Sequence, residues 1–92
     1  MKIGVVGCGK ISDQYFQFAQ TSNKIKIISC TDQVAEKAIY QSSKYSISFV
    51  KSFEEMLLNP EIDTILNLTP PKEHKQITIE SIKSSKHVYS EK

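Results

Sequence analysis

Arginine is absent. All twelve basic residues are lysines, scattered among ten acids for a net charge of +2. A nucleic-acid face usually gathers Arg and Lys in one patch with aromatics between them. No such patch exists, so no nucleic-acid partner is expected. Long apolar runs are also missing, and none approaches the ~20 residues of a membrane span. No signal segment precedes the first strand-like run. A membrane partner is therefore not expected, and the cytoplasm is the expected location. Cysteine is nearly absent. Cys8 and Cys30 are too few for a disulfide framework. They read as small reduced residues, although the ends of adjacent strands would bring them close. A catalytic thiol needs a base nearby, and none is evident. No metal-ligand set is expected.

What remains is ordinary globular composition, 39% hydrophobic and 24% charged over 92 residues. That length makes one small domain or part of a larger one. Lys2 to Val6 is short, apolar and β-branched, as a buried strand should be. Ile11 to Gln20 repeats apolar residues on one helical face, and Thr21-Ser22-Asn23 is a turn cluster. Ile25 to Cys30 reads as a second strand, Val34 to Ser42 as a helix and Ser46 to Val50 as a third strand. Ser52 is an N-cap candidate with Glu55 three positions on, and Asn59-Pro60 ends that helix after Leu58. Thr64 to Leu68 is a fourth strand, Lys72 to Ser84 a helix, and Lys86 to Tyr89 a fifth strand. Alternating strands and helices predict right-handed crossovers and a parallel α/β sheet of Rossmann type. The predicted strand order is 3-2-1-4-5, with ligands at the carboxyl ends of the strands near the reversal.

Two features meet at that edge. Gly4-Val5-Val6-Gly7-Cys8-Gly9-Lys10-Ile11-Ser12 is a strand ending in a glycine turn that opens a helix. Bare N–H groups at such a helix start can hold a pyrophosphate. Gly7 allows the tight turn, and Gly9 lets backbone approach the phosphates. Cys8, Lys10 and Ile11 complete the loop. Ser12 replaces the third glycine of the fingerprint; it serves close packing or donates its hydroxyl to a phosphate. The second feature is Asp32, 23 positions after Gly9. A carboxylate at the tip of the second strand accepts hydrogen bonds from ribose hydroxyls and repels a 2′-phosphate. No arginine follows to hold such a phosphate; the next residue is Gln33, which joins the cofactor set. NAD is thus expected over NADP. Asp32 can also serve as N-cap of the following helix, since a cap uses one oxygen.

The later motifs sharpen the reading. Asn67-Leu68-Thr69-Pro70-Pro71-Lys72-Glu73-His74 followed by Lys86-His87-Val88-Tyr89-Ser90-Glu91-Lys92 resembles the Gfo/Idh/MocA oxidoreductases, the relatives of glucose–fructose oxidoreductase and inositol dehydrogenase. Their pattern is a Thr-Pro turn, a His four residues after the Pro, then Gly-Lys-His-Val and Glu-Lys-Pro. The resemblance spans all 92 residues. Ser85 departs from it, standing where the family has Gly. The resemblance implies a nicotinamide cofactor and hydride transfer with a sugar or cyclic polyol. It places Leu68, Thr69 and Pro70 along the cofactor, with His74 shaping that loop. Glu91 and Lys92 map beside the nicotinamide ribose and the substrate, and Lys92 becomes the catalytic candidate. A lysine there can stabilise negative charge developing on the reacting oxygen.

The resemblance also implies parts that this sequence does not contain. A sixth strand and a C-terminal α/β domain with the usual His base have no counterpart in residues 1–92. The chain reads as the truncated N-terminal dinucleotide-binding domain of a longer, homo-oligomeric oxidoreductase. The 92 residues alone are expected to be inactive. The alternative is a non-catalytic Rossmann module that binds or senses a nucleotide.

Overall fold

The structure, a computed structural model, describes residues 1–90. Glu91 and Lys92 lie outside the described residues. Among the described residues five strands and four helices alternate: β1 (Lys2–Val6), α1 (Ser12–Thr21), β2 (Lys26–Thr31), α2 (Ala35–Tyr45), β3 (Ser48–Phe49), α3 (Phe53–Leu57), β4 (Thr64–Asn67), α4 (Pro71–Lys83) and β5 (His87–Ser90). All pairings are parallel, and the sheet order is β3-β2-β1-β4-β5. The expected order is therefore the observed one. None of the helices among the described residues is long and apolar enough to cross a membrane.

Parallel strands buried on both faces need apolar side chains in both directions. Val5 and Cys30 point into a core with Phe16, Ala38 and Tyr45, beneath α1 and α2. Val6 and Ile65 point the other way, against Met56 and Ile62, beneath α3. Gly4 lies on that second face. A Cβ there would meet the Met56 sulfur at 2.5 Å, so the methionine occupies the room that glycine leaves.

Several boundaries differ from the sequence expectation, each for a local reason. Ile11 is already in αR conformation but precedes α1 as its N-cap. Helix α2 runs three residues beyond Ser42, because Tyr45 is buried and stacks on Phe16 at 5.0 Å. Strand β3 shrinks to two residues, since only Ser48 and Phe49 pair with β2. Ser52 is the N-cap expected of it: its hydroxyl accepts the Glu55 N–H at 3.2 Å. Ser85 keeps the glycine-like turn before β5 by taking φ +63° itself.

Candidate cofactor site

The carboxyl ends of β1, β2 and β4 open into a cleft of about 620 Å³. That size falls within the roughly 300–1,000 Å³ of cofactor and small-molecule sites. Gly7, Gly9, Asp32, Gln33, Leu68, Thr69 and Pro70 all line it. Three loops distant in sequence thus converge as the topology requires.

Gly7 has φ +102°, a conformation that side chains resist. A Cβ on it would also meet the Leu68 carbonyl carbon and oxygen at 2.7 Å. The loop after β1 and the loop after β4 are therefore in direct contact, and only glycine permits it. Gly9 is the opposite case. A Cβ built there meets nothing within 4 Å, so the backbone faces open space. At the start of α1 the Ser12 and Asp13 N–H groups turn back to the Gly9 and Lys10 carbonyls at 3.0 and 3.2 Å, so the N–H groups ahead of them are the ones that can face a ligand. Loop and helix start together suit an anion.

Asp32 spans two loops. One carboxylate oxygen accepts the Cys8 N–H at 2.6 Å, and the other accepts the Val34 N–H at 2.8 Å. The N-cap expectation needs correction here. Helix α2 starts at Ala35, and its N-cap is the extended residue Val34. Asp32 closes the turn before the helix instead. Each carboxylate oxygen keeps a second lone pair for a ribose hydroxyl. The Cys8 N–H, by contrast, is already taken and is not a free phosphate donor.

Ser12 resolves toward packing. It is fully buried, and its hydroxyl donates to the Gly9 carbonyl at 2.6 Å. Its single proton is thereby committed, so the phosphate-donor alternative falls. Cys8 is buried beneath the loop and its thiol donates to the Thr31 carbonyl at 3.4 Å. The neighbouring Cys30 thiol and burial push Cys8 well above the usual thiol range. It stays protonated at neutral pH and offers no nucleophile. Lys10 and Ile11 are exposed at the helix start, outside the cleft lining. His74 sits half-buried in the first turn of α4, also outside the lining.

Sequence reading passed over one organiser. Asn67 ends β4 with no exposed surface. Its carbonyl oxygen accepts the Thr69 N–H at 3.2 Å and the Thr69 hydroxyl at 2.6 Å. Its amide donates to the His74 carbonyl at 2.9 Å and to the Thr78 hydroxyl at 3.0 Å. One side chain thus shapes the Thr-Pro turn and ties it to α4. Sequence reading also missed Lys37 and Lys51, two cations on the cleft lining, and Glu73 and Glu80 from α4. The advance signal was topological: Lys37 stands on the helix that follows β2, Glu73 and Glu80 on the helix that follows β4, and Lys51 just after β3, which lies beside β2.

The residues present fit a dinucleotide. The cleft joins open backbone at Gly9, just ahead of the start of α1, to the Asp32 carboxylate. Known proteins agree. An uncharacterized oxidoreductase, YrbE, of Bacillus subtilis is 27% identical over 90 residues, covering 97% of this chain and 26% of its own length. An inositol 2-dehydrogenase of Salmonella paratyphi B is 23% identical over 95 residues, covering all of this chain and 28% of its own. The chain thus spans about a quarter of the curated relatives it matches. Solved structures share the fold with either cofactor bound. GenD2 from gentamicin A biosynthesis, with NAD, gives a TM-score of 0.93 at 16% identity, over 100% of this chain and 26% of that one. KijD10, a 3-ketoreductase of Actinomadura kijaniata with NADP and TDP-benzene, gives 0.91 at 17%, over 100% and 29%. The family model described as an oxidoreductase family with an NAD-binding Rossmann fold matches residues 1–92, and the chain belongs to that family, Gfo/Idh/MocA.

Proposed function

We propose that residues 1–92 are the cofactor-holding domain of an NAD-preferring oxidoreductase that moves hydride to or from a sugar or cyclic polyol. The observation that carries the cofactor preference is Asp32, bonded to the glycine loop and lining the same cleft as Gly9. When bound, the nicotinamide ring supplies a two-electron hydride acceptor or donor. Backbone from Gly9 to Ile11 would hold the pyrophosphate, since the Gly7 and Cys8 N–H groups are bonded to Thr31 and Asp32, and Asp32 with Gln33 would hold the adenosine ribose. Thr69 and Pro70 would flank the dinucleotide across the cleft. Lys37 and Lys51 bring positive charge to the same lining and act against the preference, so the carboxylate must outweigh them. The substrate class is supported by the resemblance to inositol 2-dehydrogenase. The roles of Glu91 and Lys92 at the reacting carbon rest on the sequence motif.

Fluorescence titration of the chain with NADH and NADPH tests the reading. NADH should bind more tightly, and Asp32→Ala should weaken NADH about tenfold while narrowing the difference. Tighter NADPH binding overturns the preference, and binding of neither overturns the dinucleotide assignment. Assay of the same chain with NAD, inositols and hexoses should show no turnover. Turnover would mean that no further domain is needed.

A further inference from the structure

A buried polar chain runs from α2 to the glycine loop. Gln41, on α2, is only 2% exposed. Its amide nitrogen donates to the Ser12 hydroxyl oxygen at 2.9 Å and to an Asp13 carboxylate oxygen at 3.0 Å. Ser12 in turn donates its hydroxyl proton to the Gly9 carbonyl at 2.6 Å. The Ser12 N–H reaches the same carbonyl at 3.0 Å. Two donors therefore pin the Gly9 carbonyl toward the first turn of α1.

The peptide plane converts that restraint into a direction. In a trans peptide, the carbonyl and the following N–H point to opposite sides. Holding the Gly9 oxygen inward turns the Lys10 N–H outward, past the helix start. That is the side on which an anion gains from helix amides. An unpinned loop could flip this peptide and aim the carbonyl, a negative dipole end, at the phosphates.

Gln41 also carries an unexplained cost. Its side-chain oxygen is buried with no partner among the described residues. A buried amide oxygen left unpaired is unfavourable, and an apolar residue of similar size avoids the penalty. Core packing alone therefore gives no reason for glutamine at this position. The two bonds that its nitrogen donates do.

We propose that Gln41 is a positioning residue for the pyrophosphate. Acting through Ser12, it orients the Gly9–Lys10 peptide so that an N–H, and not a carbonyl, faces the phosphates. This rests on the dinucleotide reading above.

The test separates phosphate binding from packing. NADH is titrated directly, and ADP and adenosine are competed against it, on the wild-type chain and on Gln41→Leu. NADH and ADP should weaken about tenfold in the variant, the loss of a preset hydrogen bond to a charged ligand. Adenosine, which has no phosphate, should change by less than about twofold on the same scale. The urea midpoint of Gln41→Leu should change little, since the loss of its bonds to Ser12 and Asp13 is set against the removal of the unpaired oxygen. Equal losses for ADP and adenosine would make Gln41 a packing residue and overturn the proposal, and so would unchanged ADP binding. Ser12→Ala cuts the same chain with a smaller change in volume, and carries the test alone should Gln41→Leu not fold. The double variant should bind ADP no more weakly than the weaker single variant, because both break one path. Wild-type protein that fails to bind NADH sinks the dinucleotide reading on a separate arm.

Discussion

Helices α1 and α2 and helix α4 cover the same sheet in different ways. The first two bury Ser12, Phe16, Ala38, Gln41 and Tyr45 between them. Helix α4 is the longest of the described helices, yet Ser81 is its only fully buried residue. Its Ile82 is 62% exposed, and strand β5 beside it buries no residue completely. The first pair is further locked at Asp13, where Tyr45, Gln41 and Lys44 converge on one carboxylate oxygen at 2.7, 3.0 and 3.3 Å. At its start α4 is fastened by the Asn67 side chain, through the His74 carbonyl and the Thr78 hydroxyl, with Ile77 against the second core. The difference teaches that the glycine-loop end of the cleft stands on the better-anchored half. The opposite wall, with Glu73, Ile77 and Glu80, stands on the half with less burial, where local opening costs less free energy.

The largest expected effect falls where the halves touch. Gly7→Ala places a Cβ against the Leu68 carbonyl at 2.7 Å and forces φ +102° on an alanine. Strain and overpacking together should cost about 3 kcal/mol. Urea denaturation measures it. A loss below about 1 kcal/mol would show that the two loops separate readily, and the halves would then be less coupled than their contact implies.

Asn67→Ala comes next, at about 2 kcal/mol, because it strands part-buried groups of Thr69, Thr78 and the His74 carbonyl. Hydrogen exchange makes this a test of the comparison. Amides of α4 should exchange faster in the variant, while those of β1 and β2 stay near wild type. A uniform acceleration across the sheet would mean that the chain opens as one unit, and the distinction between halves would fall.

The fold was more legible than the anchors, for a physical reason. Buried parallel strands announce themselves as β-branched runs, and glycine turns with an acidic partner announce a nucleotide edge. Ser52 could be read as a cap because capping is local, and the Glu55 N–H is three residues away. Gln41 and Asn67 could not be read. A lone polar residue in a helix or at a strand end looks like surface until its partners are known. Those of Gln41 are 28 and 29 positions away in sequence. Tyr45 was missed for a related reason: Ser42, Ser43 and Lys44 before it resemble the end of a helix, and only the stack on Phe16 continues it.

A smaller effect comes from acid. The Tyr45 hydroxyl, the Gln41 amide and the Lys44 ammonium hold Asp13 below the usual carboxylate range. A depressed carboxylate adds stability that is complete above its unfolded pKa, near 4, and is lost as pH falls through the lower native value. Asp63 behaves in the same direction at the other end of the sheet, held by the Thr64 hydroxyl and the Lys2 N–H. Acid should therefore weaken the protein in the carboxylate range, and Asp13→Asn should flatten that dependence without removing it. Urea midpoints of both proteins from about pH 6 to about pH 2 decide this. Parallel curves would show that the Asp13 cluster does not anchor the first half.

The smallest effect runs the other way and strengthens the weaker half. Helix α4 ends in a Schellman turn. The Ser85 N–H bonds to the Ile82 carbonyl at 2.9 Å, and the Lys86 N–H to the Ser81 carbonyl at 3.1 Å. This pattern needs a left-handed residue at Ser85, and the serine supplies it at φ +63°. A side chain makes that conformation unfavourable by about 1–2 kcal/mol. Glycine removes the penalty but loses more entropy on folding, so the net gain from Ser85→Gly should be about 0.5–1 kcal/mol. For a domain of this size that raises Tm by about 3–6 °C. Exchange should slow at β5 and the end of α4, and not at β1 or β2. An unchanged Tm would mean that the end of α4 is already open when the rest of the domain unfolds. The α4–β5 half would then be a unit of its own, still less coupled to the sheet than its sparse burial implies.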